Sequence, residues 1–255
     1  MRIATWNINS IRAREERLLD WLARRDPDVV CLQELKCTDE QFPYEAVEGA
    51  GYHAAVHGQK TYNGVAILAK KPIEDAACGF DDGEEEEEAR VIGGTVDGTR
   101  VVSVYVVNGK RVDSDAYAYK LHWLERLQAY VERHDLEHPF AICGDFNIAP
   151  DERDVERVDA WAGGVLFNED LTARFRHLLD AGLVDTFRQQ HEEGGLYSWW
   201  DYRRLAFPKN DGLRIDHVLA SAPLAERTTD AWVDRDERKG KKPSDHAPVF
   251  AEFER

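Results

Sequence analysis

Seven short apolar runs, alternating with helical segments, most strongly constrain how this chain can fold. Branched and aromatic side chains dominate the runs, which is typical of buried strands. The first two runs flank a segment with helical apolar spacing, so they predict a strand–helix–strand unit. The alternation as a whole predicts an α/β or α+β fold of layered sheets and helices. The predicted strands are residues 2–8, 28–34, 64–70, 100–107, 139–145, 213–220 and 247–253.

The apolar spacing also predicts three helices. Ser10 is the predicted N-cap of the first helix, and Pro27 ends its unit. The second helix spans about residues 115–134, and the third ends near Gly182. The predicted inner-face positions are Ile11, Leu18, Leu19 and Leu22 in the first helix, Leu121, Leu124, Leu127 and Val131 in the second, and Leu178 and Leu179 in the third.

Length and composition predict one large domain or two intimate halves, and we assign residues 1–255 to a single domain. The 255 residues, 43% of them hydrophobic, can bury a sizeable core. No run approaches the roughly 18 apolar residues of a membrane span, and the first residues suggest a strand rather than a signal peptide, so we expect a cytoplasmic protein. The cysteines fit neither a zinc spacing nor a disulfide framework and are predicted to be reduced and structural: Cys31, Cys37, Cys78 and Cys143.

Charge is unevenly distributed along the chain, whose net charge is −16. The acidic run 81–88 is interpreted as a solvated surface loop. The run 235–242 holds five basic and two acidic residues and leads into a terminal "SDH", where it would suit a polyanionic substrate. We also hypothesise that the acidic surface is an adaptation to high salt, which predicts activity that tolerates or gains from NaCl.

Polar residues collect at the ends of the predicted strands, where ligand sites of layered α/β proteins form. Asp216 is the exception because it lies inside an apolar run, and a lone buried carboxylate is costly unless it is paired. His246 is its predicted partner. The polar set comprises Asn7, Asn9, Glu34, Tyr105, Asn108, Asp145, Asn147, Asp216, Asp245 and His246.

The residue types in this set indicate metal-assisted hydrolysis of a phosphate ester. Glu34 with nearby Asp and Asn oxygens suits Mg²⁺ or Mn²⁺ and not zinc. Asp216 can orient the His246 imidazole and raise its basicity. Asp145 and Asn147 can position a water or a phosphate oxygen, and Tyr105 can donate to a phosphoryl oxygen. Phosphodiester and phosphomonoester substrates both remain open at this point.

Eight segments resemble motifs of the exonuclease III-type apurinic/apyrimidinic endonucleases, within the endonuclease/exonuclease/phosphatase superfamily. The superfamily as a whole shares the Asn, Glu, "GD.N" and "SDH" parts, whereas "YSWWDYR" with "GLRID" is more specific to the DNA repair branch. The match runs from end to end of the chain. The segments are "WNINSIRAR", "PDVVCLQELK", "NGVAILAKK", "YVVNGKR", "GDFNIAP", "YSWWDYR", "GLRIDHVLAS" and "PSDHAPV".

The resemblance implies a role for each matched residue. Glu34 would bind the metal, with Asn7 and Asp245 close to it. Asp145 and Asn147 would position or activate the attacking water, and Asp216 would hold His246 against the scissile phosphate. The remaining implied contacts, to the phosphate, the DNA and a pocket for a base-less sugar, involve Tyr105, Asn9, Asn108, Arg111, Trp199, Leu213 and Ile215.

The resemblance also implies a fold, an activity and partners. The fold would be a four-layer sandwich of two packed mixed β-sheets flanked by helices. The activity would be Mg²⁺-dependent cleavage 5′ to abasic sites, with 3′-5′ exonuclease or 3′-phosphodiesterase activity on double-stranded DNA. The partner would be duplex DNA with abasic sites or blocked 3′ ends. The protein would act as a monomer at the nucleoid and would not associate with a membrane.

Two residues depart from the family pattern. Val107 stands where a proline is common, and Asn9 stands where some relatives have an acidic residue beside the metal, which makes a second metal less expected. Two alternatives are weighed against the nuclease. One is a superfamily phosphatase acting on a small or lipid phosphate ester, and the other is a catalytically idle DNA-binding or scaffold protein.

Overall fold

Two sheets of six strands each form the centre of the fold in the computed structural model, which describes residues 1–85 and 88–254. The first sheet contains β1 (Arg2–Asn7), β2 (Val29–Gln33), β3 (His53–His57), β4 (Val65–Ala69), β11 (Thr228–Val233) and β12 (Val249–Phe253). The second contains β5 (Glu74–Cys78), β6 (Val91–Val96), β7 (Thr99–Tyr105), β8 (Phe140–Asp145), β9 (Leu183–Asp185) and β10 (Asp216–Ser221).

Both sheets are mixed. The strand orders are β11-β12-β1-β2-β4-β3 and β5-β6-β7-β8-β10-β9. β1 pairs in parallel with β2, and β7 pairs in parallel with β8, while the other neighbours are antiparallel. The predicted strand–helix–strand unit at the start of the chain is therefore confirmed.

Helices cover the outer faces of the two sheets. The helices are α1 (Glu15–Arg25), α2 (Tyr44–Gly49), α3 (Asp115–Glu132), α4 (Val158–Trp161), α5 (Glu169–Asp180), α6 (Thr186–Gln190), α7 (Ala206–Lys209) and α8 (Ala222–Ala225). Residues of α1 and α2 pack on the first sheet, and residues of α3 and α5 pack on the second. A third apolar cluster fills the space between the sheets. The predicted four-layer sandwich is confirmed. None of the described helices is long and apolar enough to span a membrane.

The predicted start of the first helix is wrong. Ser10 has a φ of 82°, in the left-handed region, whereas an N-cap residue normally has extended backbone angles. The helix α1 instead begins at Glu15 and buries Leu18, Leu22 and Trp21, while Leu19 is only partly buried. The inner faces of the other two helices are as predicted, except that Leu121 and Leu179 are partly buried.

The strands that the sequence analysis missed are mostly those at sheet edges. β3, β5, β9 and β11 are the four edge strands, and β6 lies next to an edge and contains two glycines. Edge strands have less apolar patterning because one side of the strand has no neighbour. The run 213–220 was also assigned too early, because β10 begins at Asp216 and Leu213 makes only isolated bridges to Val155 and Trp199.

Both charged runs contain side chains that are ion-paired or buried, which the sequence did not predict. In the acidic run 81–88, of which Glu86 and Glu87 lie outside the described residues, Asp82 forms a bidentate ion pair with Arg126 at 2.7 and 2.8 Å. Glu88 pairs with Arg90 at 2.7 Å, so the described part is not simply a solvated loop. In the run 235–242, Arg238 is buried and does not belong to a free basic rim.

The polar strand ends meet at one end of the sandwich. The parallel strands β1 and β2, and likewise β7 and β8, end there with Asn7, Glu34, Tyr105 and Asp145 beside one another. Because β10 runs antiparallel to β8, its first residue, Asp216, is paired in register with the last residue of β8, Asp145.

Candidate active site

Asn7 joins the two sheets at the centre of the site. It is fully buried at the end of β1, and its Nδ2 donates to Glu34 Oε1 and to Asp145 Oδ2, both at 2.9 Å. Glu34 follows β2 in the first sheet, whereas Asp145 ends β8 in the second. One side-chain amide therefore fixes the separation of the two carboxylates.

Glu34 is ionised at neutral pH. Burial alone would raise its pKa, but the charge of Lys36 and hydrogen bonds from Lys36 and Asn7 bring the pKa below its ordinary value. Lys36 Nζ lies 2.7 Å from Glu34 Oε2, and Tyr105 donates its hydroxyl to Oε1 at 2.9 Å. Burial and the charges of Glu34 and Asp145 raise the pKa of Tyr105 well above its ordinary value, so its hydroxyl stays protonated.

Asp145 is buried at the centre of the site. Burial raises its pKa, the nearby His246 charge lowers it, and the Asp216 carboxylate raises it, with a net increase. Its Oδ1 accepts a hydrogen bond from the Asn147 main-chain N–H at 2.9 Å. The preceding Gly144 is required by packing, because a Cβ there would lie 1.9 Å from the Val104 carbonyl oxygen of β7.

The predicted pairing of Asp216 with His246 is confirmed. His246 Nδ1 lies 2.9 Å from Asp216 Oδ2, and its Nε2 lies 3.7 Å from Asp145 Oδ2. Burial would lower the pKa of His246, but the carboxylates of Asp216 and Asp145 outweigh it and raise the pKa. Ser198 supports the pair by donating to Asp216 Oδ2 at 2.6 Å. Two buried carboxylates thus keep the imidazole protonated at neutral pH.

Asn147 and Asn108 form a pair of amides beside Asp145. Asn108 Nδ2 donates to Asn147 Oδ1 at 3.1 Å, and Asn147 Nδ2 donates to the Val106 carbonyl at 3.0 Å. Val107, which immediately precedes Asn108 in the loop after β7, is buried. Arg111 lies exposed farther along the same loop, where it can reach a ligand outside the site.

Asp245 belongs to a neighbouring network and not to the Glu34–Asp145 pair. Its Oδ1 accepts from Asn9 Nδ2 at 2.8 Å, and its Oδ2 accepts from Trp199 Nε1 at 3.0 Å. Asn9 Oδ1 in turn accepts from Lys36 Nζ at 2.6 Å. Burial would raise the pKa of Asp245, but the His246 charge and these two hydrogen bonds lower it. Asp245 is therefore linked to Glu34 indirectly, through Asn9 and then either Lys36 or Asn7.

The three apolar residues predicted to line a pocket lie together beside His246. Leu213 and Ile215 are 0% and 1% exposed, so they lie beneath the surface in a shared cluster. Trp199 is partly buried above them, and its ring meets the Trp161 ring edge-on with centroids 5.8 Å apart. Trp199 and Trp161 are thus the partly exposed aromatic members of this cluster.

Several residues that hold the site were missed by the sequence analysis. Arg238 donates to the Ser244 carbonyl at 2.5 Å and so anchors the loop that carries Asp245 and His246. Arg90 lies over the Tyr105 ring, 4.7 Å from its centroid, and donates to the Tyr105 carbonyl. Lys36, next to the "LQE" segment, was the one with a sequence signal, because it follows Glu34 by two residues.

One group of acidic and histidine side chains among the described residues could hold a metal ion. Ligand atoms of Glu34, Asp145 and His246 lie within 4.8 Å of one another, and Asp245 is not part of this group. Because His246 is protonated, its ring has no free lone pair, and the two carboxylates remain as the candidate ligands. The carboxylate oxygens suit a hard divalent cation. Asn7 presents its amide nitrogen to both carboxylates, and its Oδ1 accepts from the Asn9 main-chain N–H at 3.1 Å.

Comparisons with known proteins agree with this geometry. Residues 4–246 match the model of the Endonuclease/Exonuclease/phosphatase family. The chain is 39% identical to an exodeoxyribonuclease III of Haemophilus influenzae, over 99% of this chain and 100% of the relative. It is similar to the solved structures of a 3′ phosphatase, NExo, from Neisseria bound to a product DNA hairpin (TM-score 0.98, 41% identity) and of an AP endonuclease from Archaeoglobus fulgidus (TM-score 0.97, 39% identity). Both structural alignments cover 100% of each chain.

Proposed function

The chain belongs to the Endonuclease/Exonuclease/phosphatase family as an exonuclease III-type DNA repair nuclease, and we propose that it cleaves the phosphodiester 5′ to abasic sites in double-stranded DNA. A 3′-5′ exonuclease or 3′-phosphodiesterase activity at the same site is part of the proposal. Residues 1–255 would act as one catalytic domain and as a monomer. A location at the nucleoid would follow from the substrate.

The observation that carries the proposal is the arrangement of three carboxylates around one imidazole at the end of the sandwich. Asn7 bridges Glu34 and Asp145 at 2.9 Å each, and Asp216 holds His246 at 2.9 Å. A phosphate placed between them would have a cationic imidazole on one side and carboxylates for a metal and a water on the other. This is what in-line attack of water on phosphorus requires.

Asp145 is the proposed acceptor of the water proton. Its raised pKa makes it a better base than an ordinary exposed aspartate, and Asn147 next to it can orient the water through its amide. His246 is a poor base because its raised pKa keeps it protonated. Water oxygen would bond to phosphorus while the bond to the 3′ oxygen of the preceding nucleotide breaks.

His246 and Tyr105 are the proposed donors to the phosphate. The imidazolium can donate from Nε2, because Nδ1 is engaged by Asp216. Tyr105 keeps its proton and can donate to a phosphoryl oxygen if it releases Glu34. Asn108 and Arg111, which are exposed on the loop after β7, are the proposed contacts to the phosphates on either side.

Glu34, with Asn7 beside it, is the proposed ligand of Mg²⁺, for which Mn²⁺ could substitute. When bound, the cation would polarise the phosphate and neutralise its developing charge. Asp245 would act indirectly through Asn9 and Lys36, which link it to Glu34.

The indole wall formed by Trp199 and Trp161 is the proposed basis of selection. A nucleotide without a base has lost its stacking and pairing, so it costs less to turn out of the duplex than an intact one. An apolar wall backed by Leu213 and Ile215 would accept the bare sugar and would give no hydrogen-bond partner to a base.

The proposal is tested with a duplex that carries a tetrahydrofuran abasic analogue, incubated with the protein and Mg²⁺. We expect nicking at the analogue and little release of phosphate from inositol phosphates or lipid headgroups. An intact duplex together with rapid cleavage of a small phosphate ester would replace the nuclease with a superfamily phosphatase. Binding of the duplex without cleavage of either substrate would indicate an idle DNA-binding protein.

A further inference from the structure

Lys120 is a fully buried lysine that the proposed chemistry does not use. It lies on the inner face of α3, and its ammonium donates to the main-chain carbonyls of Val165 at 2.6 Å, Asn147 at 2.8 Å and Asn108 at 3.3 Å. These three carbonyls belong to three separate segments, namely the loop after β7, the loop after β8 and the segment before α5. One cation therefore ties together three stretches of chain that are distant in sequence.

Two of these segments carry the pair of amides beside Asp145. The side chains of Asn108 and Asn147 contact each other at 3.1 Å, while their carbonyls both accept from Lys120. The loop packs closely on the lysine, because a Cβ at Gly109 would lie 3.1 Å from Lys120 Cδ. The position of the two side-chain amides thus depends on the hydrogen bonds from Lys120 to the main-chain carbonyls of the same two residues. These bonds lie on the side away from the proposed substrate.

A buried ammonium is costly, and all three of its hydrogen-bond partners here are neutral carbonyls. Burial lowers the pKa of Lys120 to about 7, with the charge of Asp145 acting in the opposite direction. A methionine of similar length would fill the space without this penalty. Energetically unfavourable features, such as a buried ammonium without an anionic partner, concentrate at functional sites.

We propose that Lys120 is a positioning residue for the hydrolysis, which sets the placement of Asn108 and Asn147 by holding the main chain of both loops. The role rests on the proposed function, because the amides matter only if they act on the substrate. Lys120 itself touches neither the phosphate nor the water. Its removal should leave the binding of DNA nearly intact and should slow the cleavage step.

The test is a double-mutant cycle read by single-turnover nicking of the abasic-analogue duplex at saturating enzyme. We expect Lys120→Met to lower the maximal rate constant about 100-fold, as for a catalytic group displaced by about 1 Å. The enzyme concentration that gives half the maximal rate should change less than about threefold, because the contacts that bind the DNA before cleavage are unchanged. In an Asn147→Ala background, the same substitution should lower the rate constant by a clearly smaller factor, and the loss that remains is the part that acts through Asn108.

Arg126→Met provides the matched control. Arg126 is a buried cation on the same helix, and it pairs with Asp82 away from the site. Thermal unfolding should show a loss of stability for both methionine variants, whereas only Lys120→Met should lose nicking rate. If Lys120→Met does not fold, Lys120→Arg takes its place in the same cycle, since its larger head group must shift the three carbonyls.

Equal rate losses in the wild-type and Asn147→Ala backgrounds would overturn the positioning role, because a general loss of stability acts additively. An unchanged rate for Lys120→Met beside an active wild type would overturn it as well and leave the proposed function standing. A wild-type chain that nicks no duplex would overturn both.

Discussion

Glu34, Asp145 and Asp216 lie around the His246 imidazole, and each of the three carboxylates has different polar neighbours. Glu34 has Lys36 as a counter-charge and stays ionised. Asp216 is bound to His246 Nδ1, so its charge is compensated by the imidazolium. Asp145 faces His246 from 3.7 Å, and its burial outweighs the His246 charge, so its pKa rises. Three residues of the same chemical type therefore have three different roles available.

Asp216→Asn should lower the nicking rate about 100-fold or more near neutral pH, since general acid–base contributions are about 10²–10⁴-fold. Asp216 and Asp145 raise the pKa of His246 against the effect of burial, so the imidazolium persists above the ordinary value and is lost only as pH rises through the raised one. Removing one carboxylate lowers that pKa. The alkaline limb of the pH–rate profile should therefore move to lower pH, and single-turnover rates measured across that limb would check it.

The matched control for this substitution is Asp234→Asn. Asp234 is also a buried carboxylate in an ion pair, but its partner is Arg25 on α1, away from the site. It should leave the pH–rate profile unchanged. A wild-type alkaline limb in Asp216→Asn would mean that His246 is not the group whose charge the reaction needs.

The sequence predicted those site residues whose burial would be energetically costly without a partner side chain. It did not predict residues that bind the main chain of loops distant in sequence. Asp216 could be paired with His246 because a carboxylate in an apolar run needs a partner. Lys120 and Arg238 could not be found in this way, since their partners are main-chain carbonyls of other loops, and a polar residue in a helix or loop resembles a solvated one.

At the level of single elements, the start of β10 is fixed by a buried ion network. Arg214 lies between Asp154 and Asp185, with closest contacts of 2.6 and 2.8 Å, and its Nη1 donates to His217 Nδ1 at 3.0 Å. His217 Nε2 donates to the Ile148 carbonyl at 2.9 Å. The His217 imidazole must be neutral to accept a hydrogen bond from Arg214. His217 is also the residue immediately after Asp216 in β10.

This network predicts a pH dependence of stability. Burial and the Arg214 charge lower the pKa of His217 to about 4, below its ordinary value of 6.5. Between these values the unfolded chain binds a proton that the folded chain does not, so the free energy of unfolding should fall as pH falls through this window. The shift corresponds to about 3 kcal/mol. Urea unfolding of wild type and His217→Gln within and above the window should show a smaller change for the variant, and equal changes would contradict the assignment.

The sequence predicted elements in the middle of the sheets better than those at the edges. β1, β2, β7 and β8 are buried on both faces and read as apolar runs. The edge strand β5, "EDAAC", is exposed along its whole length and carries no such pattern. The first helix begins later than predicted because Asn9 and Ser10 have positive φ and turn the chain before α1.

For the whole molecule, the net charge of −16 opposes the approach of DNA. At low ionic strength this repulsion acts over about 30 Å, and at about 0.15 M salt over only about 8 Å. We expect kcat/KM for the abasic duplex to stay level or rise as NaCl increases across this range, whereas proteins with a basic surplus lose affinity. Steady-state rates at several NaCl concentrations would measure it.

Neutralising exposed acids provides the control for the salt dependence. Glu45, Asp159 and Glu226 are exposed, and amides at these positions should turn the level or rising salt dependence towards a loss of activity with NaCl. A steep and monotonic loss from the lowest NaCl concentration upward in the unmodified protein would contradict the role given to the acidic surface.

The most direct test of the central claim is to map the cut in an end-labelled duplex that carries one tetrahydrofuran abasic analogue, with and without Mg²⁺. The account predicts a single Mg²⁺-dependent cut on the 5′ side of the analogue that leaves a 3′-hydroxyl end. The cut should be lost in Glu34→Ala, which should keep the circular dichroism spectrum of the wild type. A cut on the 3′ side, a cut that does not need a divalent cation, or full activity of Glu34→Ala would contradict it.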